Sequence, residues 1–142
     1  MSIDTSPRPV RILTRTLGNR SFIVQPEELA VLRDEWVLER DIDLVSVLPE
    51  ARFVTDQVRL IARDESGEKT VFMVHTWDAT RAGAYNFLKP VRLKKGTTLI
   101  YEASITNSKH GHAAEDEKAT TLRFGPRATD ELFWCHFNYI PR

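Results

Sequence analysis

The stretch QVRLIARDESGEKTVFMVHTW, Gln57 to Trp77, decides the fold. In its first half Val58, Leu60 and Ala62 alternate with Arg59, Ile61 and Arg63, the period of two expected of a strand that turns one face inward. Asp64-Glu65-Ser66-Gly67-Glu68-Lys69 supplies turn chemistry, and Thr70 to Trp77 follows as an almost wholly apolar run. The pattern predicts a β-hairpin. Its second strand, lacking alternation, is expected to be buried on both faces.

Working outward, Leu99, Tyr101, Ala103 and Ile105 share one face of a strand that opens after the turn Lys94-Lys95-Gly96. Near the end of the chain Phe133, Cys135, Phe137 and Tyr139 fall on one face, and Leu132, Trp134, His136 and Asn138 on the other. Short runs of this kind recur every 8 to 12 residues or so between Gly, Pro, Asn and Asp, the signature of an antiparallel sandwich or barrel. An all-β fold, an antiparallel jelly-roll-like β-sandwich, is therefore expected. Residues 27 to 39 leave two readings open. Pro26-Glu27-Glu28 with Leu29, Leu32 and Trp36 fits a helix start, whereas Trp36 and Leu38 also alternate as strand residues into Ile42, Leu44 and Val45 to Leu48.

The chain has 142 residues, enough for one domain with a real core and too few for two comfortable ones. Residues 1–7 are expected to be a flexible N-terminus and residues 8–142 a single domain. Twenty Lys and Arg balance twenty Asp and Glu, which argues against a nucleic-acid or anionic-membrane binder. No apolar run approaches the ~20 residues of a membrane span, so no membrane insertion is expected. The start, Met1 to Pro7, has neither a basic nor an apolar signal region. A cytoplasmic location follows for the chain as it stands, and a periplasmic or secreted one if a signal segment was removed.

Candidate chemistry is sparse. Cys135 is the lone cysteine and cannot close an intramolecular disulfide. His110-Gly111-His112 has metal-ligand spacing, with Glu115, Asp116 and Glu117 nearby as oxygen donors; in a polar loop such a pair is most often merely solvated. His75, between Val74 and Thr76, reads as a hydrogen-bonded strand residue, and His136 faces away from Cys135. No phosphate loop, dinucleotide fingerprint or Cys-x-x-Cys pattern is present. Trp77, Tyr85 and Trp134 could wall a cleft between sheets, although such aromatics are usually core. Residues 27 to 43 hold seven acidic against two basic side chains, and Lys89, Arg92, Lys94 and Lys95 cluster around a turn. Solvated strand edges explain such charge, and a docking surface is the sharper alternative.

Three stretches carry a resemblance. They are Asp43-Leu44-Val45-Ser46-Val47-Leu48-Pro49, then Tyr85-Asn86-Phe87 through Pro90-Val91-Arg92-Leu93-Lys94-Lys95-Gly96-Thr97, and then Thr106-Asn107-Ser108 through Arg123-Phe124-Gly125-Pro126-Arg127-Ala128-Thr129-Asp130-Glu131-Leu132. In order and spacing, over residues 20 to 140, the chain resembles the C-terminal domain of the copper type II, ascorbate-dependent monooxygenases. These are the peptidylglycine α-hydroxylating and dopamine β-monooxygenases, and the likeness is strongest to their bacterial relatives. The resemblance implies a copper held by two histidines of a Pro-His-x-His segment and by the methionine of an Asp-Glu-Met motif. Here those positions read Glu50, Arg52 and Leu132. Arginine stays protonated and leucine has no donor atom, so one oxygen ligand of three remains. In a strand, Glu50 and Arg52 would share a face and could pair. The family's enzymes also use a separate N-terminal domain with a second, electron-donating copper, for which 142 residues leave no room.

The sequence thus leads to a non-catalytic, monooxygenase-like sandwich acting as a binding or interaction module or accessory subunit, with no cofactor expected and a protein partner or a second copy of itself as the occupant. The alternative is a copper-dependent monooxygenase-type domain whose metal moved to His75, His110, His112 or His136. A small-molecule binder using the aromatic cleft is the third reading.

Overall fold

A computed structural model describes residues 10–19, 21–52, 54–78, 80, 83–107, 122–124 and 131–142. Two antiparallel four-stranded sheets pack against each other, and no α-helix occurs among these residues. In chain order the strands are β1 Leu13–Gly18, β2 Ile23–Val24, β3 Leu29–Val37, β4 Ile42–Glu50, β5 Thr55–Asp64, β6 Gly67–Val74, β7 Tyr85–Leu93, β8 Thr98–Thr106, β9 Leu122–Arg123 and β10 Trp134–Pro141. One sheet runs β1-β10-β4-β7 and the other β3-β8-β5-β6, with β2 and β9 as a separate pair.

The hairpin reading of Gln57 to Trp77 holds: β5 and β6 pair antiparallel from Val58 with Val74 to Asp64 with Gly67, with a one-residue bulge between Leu60 and Ile61. Its turn is tighter than six residues. Glu65 and Ser66 alone make it, with Asp64 Oδ1 accepting from Ser66 N (2.8 Å) and Ser66 Oγ (2.9 Å). The second strand corrects the expectation of burial on both faces. As the edge of its sheet, β6 has Val71 to Val74 half-buried and Gly67 to Thr70 exposed.

Within residues 27 to 39 the chain forms a strand, β3 Leu29–Val37, and not a helix. Burial alternates residue by residue along β3, and Pro26-Glu27-Glu28 belongs to a β-turn closed by Glu28 N donating to Gln25 O (3.1 Å). Pro26 takes the second position of the turn and Glu27 the third at φ +63°, the arrangement of a type II turn. Proline before two glutamates serves this turn as well as a helix N-terminus. Asp34, at the centre of β3, accepts from Glu35 N and Gly18 N, both at 2.9 Å, which caps the sheet edge and ties it to β1.

The core lies between the two inner faces. Leu60 of β5, Leu99 and Tyr101 of β8, Leu44 of β4, and Phe133 and Phe137 at β10 are all fully buried. Each such side chain contributes about 1.5–3 kcal/mol. Tyr101 stacks on Phe133 (5.3 Å between centroids, 13° between planes) and meets Phe137 edge-on at 6.4 Å, an interdigitation of the sheets that aromatic rings favour. The last strand keeps its two faces as expected: Cys135 and Phe137 are buried, while Trp134, His136 and Asn138 are half-buried on the outside. The links between sheets are bonded to each other near one end, with Leu38 N to Thr97 O (2.9 Å), Gly96 N to Leu38 O (2.8 Å) and Lys95 N to Asp41 Oδ1 (2.8 Å). On the edge strand β7, residues 87–90 bulge out opposite Val45, leaving Leu88 fully exposed beside Lys89 and Pro90.

Candidate functional site

Glu50 ends β4, and the neighbouring strand places Trp134 across from it. Its Oε2 lies 3.4 Å from His136 Nε2, while His136 Nδ1 lies 2.8 Å from Thr16 Oγ1. These three side chains form a row across β4, β10 and β1. A second row runs beside it, with Thr14 Oγ1 donating to Asn138 Oδ1 (2.8 Å) and Asn138 Nδ2 to Ser46 Oγ (3.0 Å). Thr16 and His136, and Thr14, Asn138 and Ser46, are directly opposite one another, whereas Glu50 reaches His136 diagonally, two residues along β4 from its opposite partner Leu48. With Glu50 at 42% and His136 at 31% side-chain exposure, the pair is worth ~0–1 kcal/mol. Where the leading sequence reading pairs Glu50 with Arg52, the structure sets His136 beside it.

Arg52 and Leu132 meet through a residue that sequence reasoning passed over. Glu131 is completely buried and accepts from Arg52 N, from Val54 N (3.3 Å) and from Thr55 Oγ1 (3.1 Å), while its own N–H donates to Arg123 O (2.9 Å). Burial pushes its carboxyl above the ordinary value, against the pull of the Arg52, Leu132 and Val54 amides and the Thr55 hydroxyl. The carboxylate therefore staples the segment after β4 to the start of β10. Nothing in the local sequence marks Glu131, because its partners sit far away along the chain.

Of the other histidines, His75 lies exposed beyond the end of β6 in the opposite sheet, and His110 and His112 lie outside the described residues. Among the described residues no three His, Cys, Asp or Glu side chains are grouped to hold a metal. Cys135 is buried, and desolvation pushes its thiol far above the ordinary value, so it is a packing residue and not a nucleophile.

The three aromatics stand on different elements. Trp77 is buried, with its backbone N–H on Asp56 O (2.8 Å) and no hydrogen-bond partner for its indole Nε1 among the described residues. Tyr85 on β7 packs against Phe72 of β6 (4.9 Å) where the two sheet edges approach. Trp134 is on the outer face of β10, edge-on to Phe124 (5.1 Å) and 6.1 Å from the His136 ring.

The charged regions of the sequence are partly spent on each other. Arg92 Nε lies 2.5 Å from Asp43 Oδ1, and Arg142 Nη2 lies 2.5 Å from Oδ2. The Arg92 hydrogen bond, joined by that of Arg142, outweighs burial and holds the Asp43 carboxyl below its ordinary value. Lys94 and Lys95 line an open groove of about 340 Å³ together with Asp64 and Ser66, and Lys89 stands exposed on the β7 bulge. On the outer face of the other sheet, Glu102 sits between Arg33 and Arg59 Nε (2.6 Å). Burial raises its carboxyl, and the two arginines outweigh it to leave the group below its ordinary value.

Compared with known proteins, the chain matches no family model and no curated sequence.

Proposed function

We propose that the chain is a non-catalytic β-sandwich with a monooxygenase-like frame, working as a binding or interaction module for a protein partner or a second copy of itself. The observation that supports this most is the fate of the three positions where the resemblance implies copper ligands. Glu50 leans on His136, Arg52 and Leu132 carry no donor suited to a metal, and the one buried carboxylate beside them, Glu131, is spent on backbone amides and Thr55. Leu88, wholly exposed on the β7 bulge and followed by Lys89, offers an apolar contact with a cation beside it for docking.

A second reading has one observation in its favour. Two ligands at ~2.1 Å from a common metal, held at the tetrahedral angle, stand about 3.4 Å apart. That matches the distance from Glu50 Oε2 to His136 Nε2, and Thr16 on Nδ1 would fix the ring. Metal analysis of protein purified without chelators, followed by copper titration of the wild type and His136→Ala, separates the two. The binding-module reading expects only weak copper binding; stoichiometric copper at sub-micromolar affinity, lost in His136→Ala, would overturn it in favour of a relocated metal.

A further inference from the structure

We propose that the seam where β1 and β10 meet β3 holds a binding site for an organic cation, an alkylammonium or guanidinium group. A cavity of about 290 Å³ opens there, lined by Arg15, Glu35, Trp36, Glu39, Ile42 and Tyr139 among others. Its size lies near the lower end for small-ligand pockets, ~300–1,000 Å³, and suits a single charged head group.

Trp36 and Tyr139 form an aromatic corner, their ring centroids 5.0 Å apart and their planes at 60°. Buried Leu38 and Ile42 supply apolar surface beside it. Aromatic faces carry negative charge density and attract cations. The molecule already shows this preference, because Arg15 Cζ sits 5.3 Å from the centroid of the Trp36 ring. Arg15 is an exposed residue of the edge strand β1, so its side chain has room to leave.

Arg40, the second cation of the lining, is engaged elsewhere, directed at the Arg142 carbonyl with Nε and Nη2 both at 3.3 Å. Of the acidic residues that line the cavity, Glu39 is exposed just beyond β3, whereas Glu35 alternates with Trp36 along the strand and turns its carboxylate toward Arg63 (3.9 Å) on the outer face. An incoming cation would exchange places with Arg15 on the Trp36 ring, with Glu39 among the residues around it. Arg15 is therefore a built-in competitor for the site. The inference goes beyond the binding-module reading and does not depend on it, since copper titration reports on Glu50 and His136 while this site reports through Trp36.

Tetramethylammonium chloride, titrated into the full chain against sodium chloride at equal ionic strength, tests the site through the indole N–H resonance of Trp36. A saturable shift at millimolar concentration is expected, centred on Trp36 and Tyr139. Arg15→Ala should tighten binding by roughly two- to five-fold, and Trp36→Leu should weaken it by roughly five-fold or more. Shifts no different from those in sodium chloride would overturn the proposal, as would Arg15→Ala leaving affinity unchanged or lowering it. Because Arg15 is exposed, that variant keeps the test decisive even if Trp36→Leu unfolds. Parallel titrations with choline and with a trimethyllysine-containing peptide then distinguish a free metabolite from a protein side chain as the source of the cation.

Discussion

Replacing Gly18 by alanine would set a Cβ 2.2 Å from the Phe133 carbonyl oxygen and 3.0 Å from Trp134 Cα. Both obstacles are backbone, so no rotamer change relieves them. The strands must separate by about 1 Å to reach ordinary contact distance. That movement falls where β1 and β10 end their ladder, at Gly18 opposite Trp134. It also pulls on two further bonds, Gly18 N to Asp34 Oδ2 (2.9 Å) and Asn19 N to Phe133 O (3.1 Å). Overpacking costs about 1–3 kcal/mol, and the two bonds add about 1 kcal/mol each. A loss of about 3–5 kcal/mol is expected, a large part of the ~5–15 kcal/mol that stabilises a domain. At roughly 4 °C per kcal/mol the thermal midpoint falls by about 12–20 °C. Urea and thermal unfolding followed by circular dichroism measure this, with Gly83→Ala as control, because a Cβ at Gly83 meets nothing within 4 Å. A loss below about 1 kcal/mol for Gly18→Ala would refute the reasoning, since it would mean the sheet yields at a point where its backbone bonds hold it.

Three other perturbations follow from named contacts. Glu27→Gly should stabilise the protein by about 1 kcal/mol in urea unfolding, because glycine removes the cost of positive φ in the turn before β3; destabilisation would contradict the strain. Glu131→Ala leaves the amides of Arg52 and Val54 and the Thr55 hydroxyl without their acceptor, for an expected cost of about 3 kcal/mol or more, and a near-neutral result would show that the staple is dispensable. Asp43 and Glu102 have folded carboxyls held below their ordinary values, so the stability they add is present above about pH 4 for Asp43 and about pH 4.5 for Glu102, and is lost as pH falls through their folded values. Glu131 is raised and acts with the opposite sign, its contribution present below about pH 4.5 and lost as pH rises through the folded value. Unfolding midpoints measured across the acid range should therefore show a shallower acid limb in Asp43→Asn, and an unchanged limb would show that the Arg92 and Arg142 contacts confer no such dependence.

Local alternation made the hairpin, β8 and the two faces of β10 legible, because each is a strand with one apolar face and the period shows within a few residues. The character of residues 27 to 39 was not legible. Pro26-Glu27-Glu28 satisfies both a helix start and a type II turn, and only pairing of β3 with β8, from Leu29 opposite Thr106 to Val37 opposite Thr98, decides between them. Apolarity also misled at β6, where composition suggested a central strand but topology made it an edge. At the candidate site, that Arg52 and Leu132 offer a metal no donor is legible from the residue types alone. The contacts of Glu50 with His136 and of Glu131 with Val54 are not, because they join residues far apart along the chain. The corner of Trp36 and Tyr139 is hidden for the same reason, being built from strands of different sheets.

The position of β10 bears on how the chain reaches this fold. Last in order, it lies inside its sheet between β1 and β4, so β1 has no ladder partner until β10 docks. The other sheet contains the local β5–β6 hairpin, which can form early. Closing the first sheet instead requires segments more than a hundred residues apart to meet, as Thr14 and Asn138 do, and such long-range pairing slows folding. Pulse-labelled hydrogen exchange during refolding should protect amides of β5 and β6 before those of Cys135 and Phe137. Until then the apolar inner face around Tyr101 stays uncovered, and aggregation during refolding is governed by the rate at which one strand arrives.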